Sequence, residues 1–230
     1  MIRFKASAAA AVITAILLFP LPPASASDEI LTSIQKRYAN LDSLTADYVR
    51  VTSTPAMEGV FQSSAKHTAA GRLFYRKPAK LILDQSAPRA EKMVTNGDTV
   101  WWFIQDENVV HRYSNVDVYT ELKPLLDFLG GLGSLAGRFA VKVTPAGTPP
   151  NVNHRLDLSR LQEGSGPTGI TVWLAPQDFT LVGFKLTSLT GETTVFTLTG
   201  VRLNPKLDDR AFVFEIPAGT KVIEEARGQM

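Results

Sequence analysis

The side chains able to do chemistry are few and scattered. His67, His111 and His154 lie far apart, without the H-x-x-x-H or H-E-x-x-H spacing that puts two imidazoles on one helix face to grip zinc. There is no cysteine, so thiolate metal sites and disulfides are ruled out. Ser134 lacks the flanking glycines of a G-x-S-x-G elbow. The carboxylate pairs Asp208-Asp209 and Glu224-Glu225 read as loop and tail, where solvated charge is the default. Gly164-Ser165-Gly166-Pro167-Thr168-Gly169 matches G-x-G-x-x-G letter for letter. That motif needs a strand before it and a helix after it to hold a pyrophosphate, whereas here Pro167 sits inside and Gly169 opens a strand. Gly131-Leu132-Gly133-Ser134-Leu135-Ala136 follows a helix and fails for the same reason. No catalytic residue, metal or cofactor is expected.

Charge excludes another class. The chain has 24 basic and 22 acidic residues, and without Arg3 and Lys5 the basic count also becomes 22. A nucleic-acid binder would carry a basic surplus. Those two cations belong to a leader: Ala6 to Phe19 is an apolar run, Pro20, Pro22 and Pro23 break it, and Ala24-Ser25-Ala26 is a small-x-small cleavage pattern. The run is short of the roughly 20 residues that cross a bilayer. Residues 1–26 are therefore expected to be a cleaved signal, and 27–230 one soluble domain. Lacking cysteine, the chain cannot itself be a lipid-anchored lipoprotein, whose acylated residue is a cysteine just after the signal.

The elements that would carry a site follow from periodicity. Ser27 can cap a first helix, with Asp28 and Glu29 in its first turn and Ile30, Leu31, Ile34, Tyr38 and Leu41 as one apolar stripe. From Leu44 the period changes to two. Strands are predicted over Leu44–Thr54, Thr68–Lys77, Lys80–Ser86, Glu91–Thr95, Thr99–Gln105 and Val109–Ser114, then over Phe139–Thr144, Asn153–Leu161, Gly169–Leu174, Leu181–Ser188, Thr193–Leu203 and Phe212–Ile216. Asn96-Gly97 and Gly191 mark hairpins. Short, closely spaced strands argue for an antiparallel sheet or barrel. Between the two groups, Glu121 to Leu135 forms an apolar helix with a glycine-rich exit, either ordinary core cover or a lid.

Alternation assigns sides. Arg72, Arg76, Lys80 and Asp84 belong in water, which sends Leu73, Tyr75, Leu81 and Leu83 inward. Thr99–Gln105 is apolar on both faces, with Val100, Trp102 and Ile104 on one and Trp101 and Phe103 on the other. Lys77 has the inward parity of Leu73 and Tyr75, an uncomfortable place for a charge unless polar groups meet it.

Four ordered blocks resemble the outer-membrane lipoprotein carrier family, LolA. Gly71-Arg72-Leu73-Phe74-Tyr75-Arg76-Lys77-Pro78 is similar to its strand ending in Arg-Pro. Pro88 followed by Met93-Val94-Thr95-Asn96-Gly97-Asp98-Thr99-Val100-Trp101-Trp102 is similar to its v-x-D-G-x-x-l-W hairpin. Leu122-Lys123-Pro124-Leu125-Leu126 resembles its proline-containing lid helix, and Phe212-Val213-Phe214-Glu215-Ile216-Pro217-Ala218-Gly219 its closing F-x-F-x-x-P-x-G. Two positions depart from the pattern: Tyr48-Val49-Arg50 stands where the family reads Phe-x-Gln, and Lys77 where it has arginine.

The resemblance implies a mainly β fold with helices, an unclosed antiparallel half-barrel of about eleven strands with an N-terminal helix and a helical lid over a hydrophobic cavity. It implies a monomeric, non-enzymatic periplasmic chaperone that takes acylated lipoproteins from an inner-membrane ABC release transporter to an outer-membrane acceptor. A carrier of another lipid, or a periplasmic lipid sensor on the same fold, is the alternative. The acyl cavity is expected to be lined by Leu73, Tyr75, Leu81, Leu83, Met93, Trp101 and Phe103, the lid to present Leu125, Leu126, Phe128 and Leu129, and Lys77 to act as a gate on the lid carbonyls.

Overall fold

The computed structural model describes residues 26–54, 67–114, 126, 129–131, 139–147, 152–160, 169–188 and 190–225. Helix α1 (Ala26–Tyr38) carries Asp28 and Glu29 in its first turn and Lys36 and Arg37 in its last, each placed to offset the helix dipole. Ile30, Ile34 and Tyr38 recur every four residues, so they share one face, and that face is buried. Ser27, expected as the cap, lies inside the helix, and Leu31 is only half-buried at the edge of the stripe.

Among the described residues twelve strands follow: β1 (Ser43–Ser53), β2 (His67–Arg76), β3 (Lys80–Ala87), β4 (Glu91–Thr95), β5 (Val100–Ile104), β6 (Val109–Tyr113), β7 (Phe139–Thr144), β8 (His154–Arg160), β9 (Gly169–Leu174), β10 (Leu181–Thr187), β11 (Thr193–Leu203) and β12 (Lys221–Glu225). They form one sheet in the order β12-β6-β5-β4-β3-β2-β1-β11-β10-β9-β8-β7, which does not close on itself. Yet Tyr113 of β6 and Phe139 of β7, far apart in that order, are buried in the same hydrophobic cluster. The sheet must therefore curl round a common interior, and the fold is an unclosed half-barrel.

Bulges help it bend. The ladder slips between Ala70 and Gly71 on β2 and between Leu181 and Gly183 on β10. At both, the neighbouring backbone comes too close for a side chain. A Cβ on Gly71 would lie 2.2 Å from the Asp84 carbonyl oxygen, and one on Gly183 2.6 Å from that of Phe196. Both predicted hairpins form. In the first, only Gly97 has positive φ; Asn96 instead accepts through Oδ1 from the amides of Asp98 and Thr99, both at 3.0 Å, giving a longer loop than a two-residue turn.

One predicted strand is not there. Phe212–Ile216 begins as the end of a 3₁₀ turn (Asp209–Phe212), capped by the Asp208 carboxylate accepting from Arg210 N at 3.0 Å. Its aromatic alternation serves packing, not a ladder. Phe212 is buried with Ile82 and Val94 on the outer face of the sheet, and Phe214 packs against the same cluster. The segment thus crosses outside the sheet to the opposite end, and β12 then enters beside β6 running parallel to it, Lys221 opposite Val109 and Glu225 opposite Tyr113.

Candidate functional site

The inner face is assembled by register. Leu73 pairs with Leu83, and Leu83 with Met93; Tyr75 pairs with Leu81. Side chains alternate along a strand, so these five residues stand on one side, and all are buried in the interior cluster with Ile34, Tyr38, Leu44, Phe184, Phe196 and Leu198. The insert between β6 and β7 reaches the same place: Leu126 and Leu129 are buried there, and a Cβ on Gly130 would sit 3.2 Å from the Tyr75 hydroxyl. Leu125 and Phe128 lie outside the described residues.

Trp101 and Phe103 do not belong to this set. Register puts Trp101 opposite Val94, which pairs with Ile82 of the outer cluster, and both aromatic rings meet Phe214 on the outer face, at 6.3 and 6.0 Å between centroids. The inner side of β5 carries Val100, buried in the interior cluster, and Trp102, which stands opposite Met93 and packs against that cluster. Composition could not choose between two apolar faces, but the Asn96-Gly97 hairpin could have: folding β4 onto β5 about that loop pairs Trp102 with Met93. The chain's third tryptophan, Trp173, also faces out, where it lies beside Gly183 in a groove of about 290 Å³ shared with Val182 and Thr197. Occupation of the inner face is therefore expected to change the emission of Trp102 alone. The change should survive Trp101→Phe and Trp173→Phe and vanish in Trp102→Phe; a response that disappears with Trp101 would reverse the assignment of faces.

Towards the far end of β1 the inner face turns polar. Arg50 follows Tyr48 on the same side of the strand, and its Nη2 donates to Gln85 Oε1 of β3 at 3.1 Å. The guanidinium can span β2 because Arg50 pairs with Ala69 and Tyr48 with Gly71, which put almost nothing in the way. On β4, Glu91 is held by Arg89 and accepts from Trp102 Nε1 at 2.9 Å. Burial pushes the Tyr48 phenol up to about 12, so near neutrality it remains a protonated donor. None of this row was singled out from the sequence as a site, although a charged residue at inward parity after Leu44, Ala46 and Tyr48 was a readable signal.

Lys77 falls just beyond β2, before a cis Lys77-Pro78 bond, and its amide donates to the Asp42 carbonyl at 2.8 Å. It is half-buried. Most of the scattered titratable residues singled out from the sequence have structural partners. His111 Nδ1 lies 2.8 Å from Glu225 Oε1 and Arg112 pairs with Glu224 at 3.0 Å, so both tail carboxylates fasten β12 to β6. His154 accepts from the Ala146 amide at 3.0 Å and stacks on Phe179. Asp209 binds Lys80 and Arg76 at 2.6 and 3.0 Å, and the Lys80 hydrogen bond above all pulls its carboxyl below the usual range.

With this fold and inner face, the chain is similar to proteins named as outer-membrane lipoprotein carriers. An outer-membrane lipoprotein carrier protein of Hahella chejuensis is 29% identical over 157 residues, 68% of this chain and 72% of its own length. The protein of the same name from Azotobacter vinelandii is 24% identical over 208 residues, covering 90% and 94%. Among solved structures, a LolA superfamily protein from Nitrosomonas europaea aligns over 83% of this chain and 99% of its own at 12% identity and TM-score 0.42. The sequence model of the outer membrane lipoprotein carrier protein LolA matches residues 40–215, and the chain belongs to that family.

Proposed function

We propose that the chain is a periplasmic carrier that shields the acyl chains of lipoproteins between an inner-membrane ABC release transporter and an outer-membrane acceptor. Residues 1–26 would direct export and be removed, leaving 27–230 as a single monomeric carrier domain without catalytic activity. The observation that supports this best is the shared inner face of Leu73, Tyr75, Leu81, Leu83 and Met93, with Leu126 and Leu129 of the inserted segment brought against it. That insert acts as the lid in this reading, opening to let chains replace its own leucines. Lys77, next to the segment where the insert meets Pro78, acts as its gate.

The energetics set the need for a carrier. Each buried methylene contributes about 0.8 kcal/mol, so one chain of about 16 carbons represents roughly 12 kcal/mol of exposed hydrocarbon that cannot cross water unaided. The exported protein, purified from a native periplasm, is expected to bring down triacylated lipoprotein, and the empty protein to bind an apolar fluorescent probe saturably, with displacement by acylated peptide. Free phospholipid or glycolipid as the sole co-purified amphiphile would favour a carrier or sensor of other lipids. No saturable binding by folded protein would remove the acyl reading altogether.

A further inference from the structure

Among the described residues, the inner face contains one cation with a buried donor left unbonded, Arg50. Arg50 Nε is buried and has no hydrogen-bond partner, while the same guanidinium gives only Nη2 to Gln85. A buried donor without an acceptor costs on the order of 1–3 kcal/mol, and a charged one more, so its persistence asks for a function. Glu91, the acidic residue of the row, accepts from Arg89 and Trp102 and makes no hydrogen bond to Arg50 Nε. Gln85 is engaged on both sides, accepting from Arg50 and donating through Nε2 to the Arg89 carbonyl at 3.1 Å. Gln85, itself fixed by the Arg89 carbonyl, thus holds the guanidinium through Nη2 and leaves Nε–H open.

Its position suits an amphiphile. Leu44, Ala46 and Tyr48 precede Arg50 on the inner side of β1, and the first three are buried in the interior cluster. Six residues at about 3.3 Å each separate the Leu44 row from the Arg50 row, a run of about 20 Å, the reach of a long acyl chain. Beyond Arg50 only the last residues of the strand remain before its end at Ser53. The face therefore grades from hydrocarbon to the fixed Arg50 cation near its rim, flanked by the neutral Tyr48 phenol.

We infer that Arg50 is the headgroup anchor of this face: its free Nε–H binds an anionic oxygen, phosphate or carboxylate, of an amphiphile whose acyl chains run from there toward the Leu44 row, across the Leu73–Leu83–Met93 row. This rests on the acyl-carrier reading and narrows it to acidic cargo. A guanidinium presents its donors in a rigid plane, which suits an oxyanion better than a flexible ammonium does.

The test compares three amphiphiles of equal chain length, hexadecyl phosphate, hexadecylglycerol and hexadecyltrimethylammonium, with inorganic phosphate alone. Each competes for a neutral fluorescent probe on the full chain. Wild type should bind the phosphate ester at least about tenfold tighter than the neutral ether, and the cation weakest, since charged hydrogen bonds to a buried site are worth that much. Arg50→Gln, which places the family's residue there, should bring the ratio of phosphate to neutral close to one while neutral binding moves less than about twofold. Persistence of the preference in Arg50→Gln would overturn the anchor, as would equal binding of all three by wild type, which would leave the acyl reading standing. Inorganic phosphate competing as well as the ester would make this a small-anion site and refute the amphiphile. Loss of all amphiphile binding would fail the carrier reading as well. The wild-type ranking needs no variant, so the inference can be refuted even if Arg50→Gln does not fold.

Discussion

Replacing Phe184 by alanine is expected to lower the unfolding free energy by about 3–5 kcal/mol, the range for truncating a buried aromatic ring where the neighbours cannot collapse. Phe184 is fully buried, opposite Phe196 on β11 and Val172 on β9, and its ring stacks on Phe196 at 4.7 Å and 18°. Its backbone cannot shift to fill the space, because Gly183 beside it is already in close approach to the Phe196 carbonyl. A domain with a typical reserve of about 5–15 kcal/mol would lose a large share of it. Phe184→Leu, which keeps most of the volume, should cost less than about 1.5 kcal/mol. Urea unfolding followed by far-ultraviolet circular dichroism measures both. The size of the loss also discriminates between interiors. If this part of the inner face borders an empty chamber, truncation forfeits fewer contacts and enlarges the chamber. A cost below about 1 kcal/mol with increased probe uptake would then put the chamber against β9–β11 and not against β2–β4.

What the sequence revealed followed from where charges stood. On β2 and β3, Arg72, Arg76, Lys80 and Asp84 mark the wet side, so parity placed Leu73, Tyr75, Leu81 and Leu83 correctly. On β5 no charge interrupts Val100-Trp101-Trp102-Phe103-Ile104, and the outer side is dry only because a segment more than a hundred residues later lays Phe212 and Phe214 over β3–β5. Alternation reports burial, which an extended segment lying on a sheet satisfies as well as a strand inside one. That is why Phe212–Ile216 read as a strand while β12, with two glutamates in five residues, did not. Its stabilisation is long-range: the parallel ladder to β6 and the pairs of Glu224 and Glu225 with Arg112 and His111. Arg50 was legible as a departure from the family pattern, but its meaning depended on cross-strand neighbours, Ala69 and Gly71 being small and Gln85 being within reach.

Tyr38→Phe is expected to cost about 1–3 kcal/mol although it removes a single oxygen, because that oxygen serves two backbone groups. The Tyr38 hydroxyl donates to the Phe179 carbonyl and accepts from the buried Leu181 amide, both at 2.9 Å. Burial raises the phenol above its ordinary pKa, so at neutral pH it has the proton that the first bond needs. Phenylalanine keeps the ring in the interior cluster and leaves the Leu181 N–H facing hydrocarbon with nothing to bond. The two bonds also tie the last turn of α1 to the β9–β10 turn, where Phe179 holds a positive φ of 56°. Losing them should loosen the helix that covers the inner face. Beside them, Arg37 reaches Thr180 at 2.8 Å and Asp178 at 3.2 Å, but these contacts are exposed, and Arg37→Ala should cost less than about 1 kcal/mol. Amide hydrogen exchange separates the two variants. Leu181 should exchange at least about tenfold faster in Tyr38→Phe, as a loss of about 1.4 kcal/mol in local protection requires, and near the native rate in Arg37→Ala. Unchanged protection of Leu181 in Tyr38→Phe would show that strand pairing alone holds the turn, and that α1 is anchored by the burial of Ile30, Ile34 and the Tyr38 ring without help from the hydroxyl.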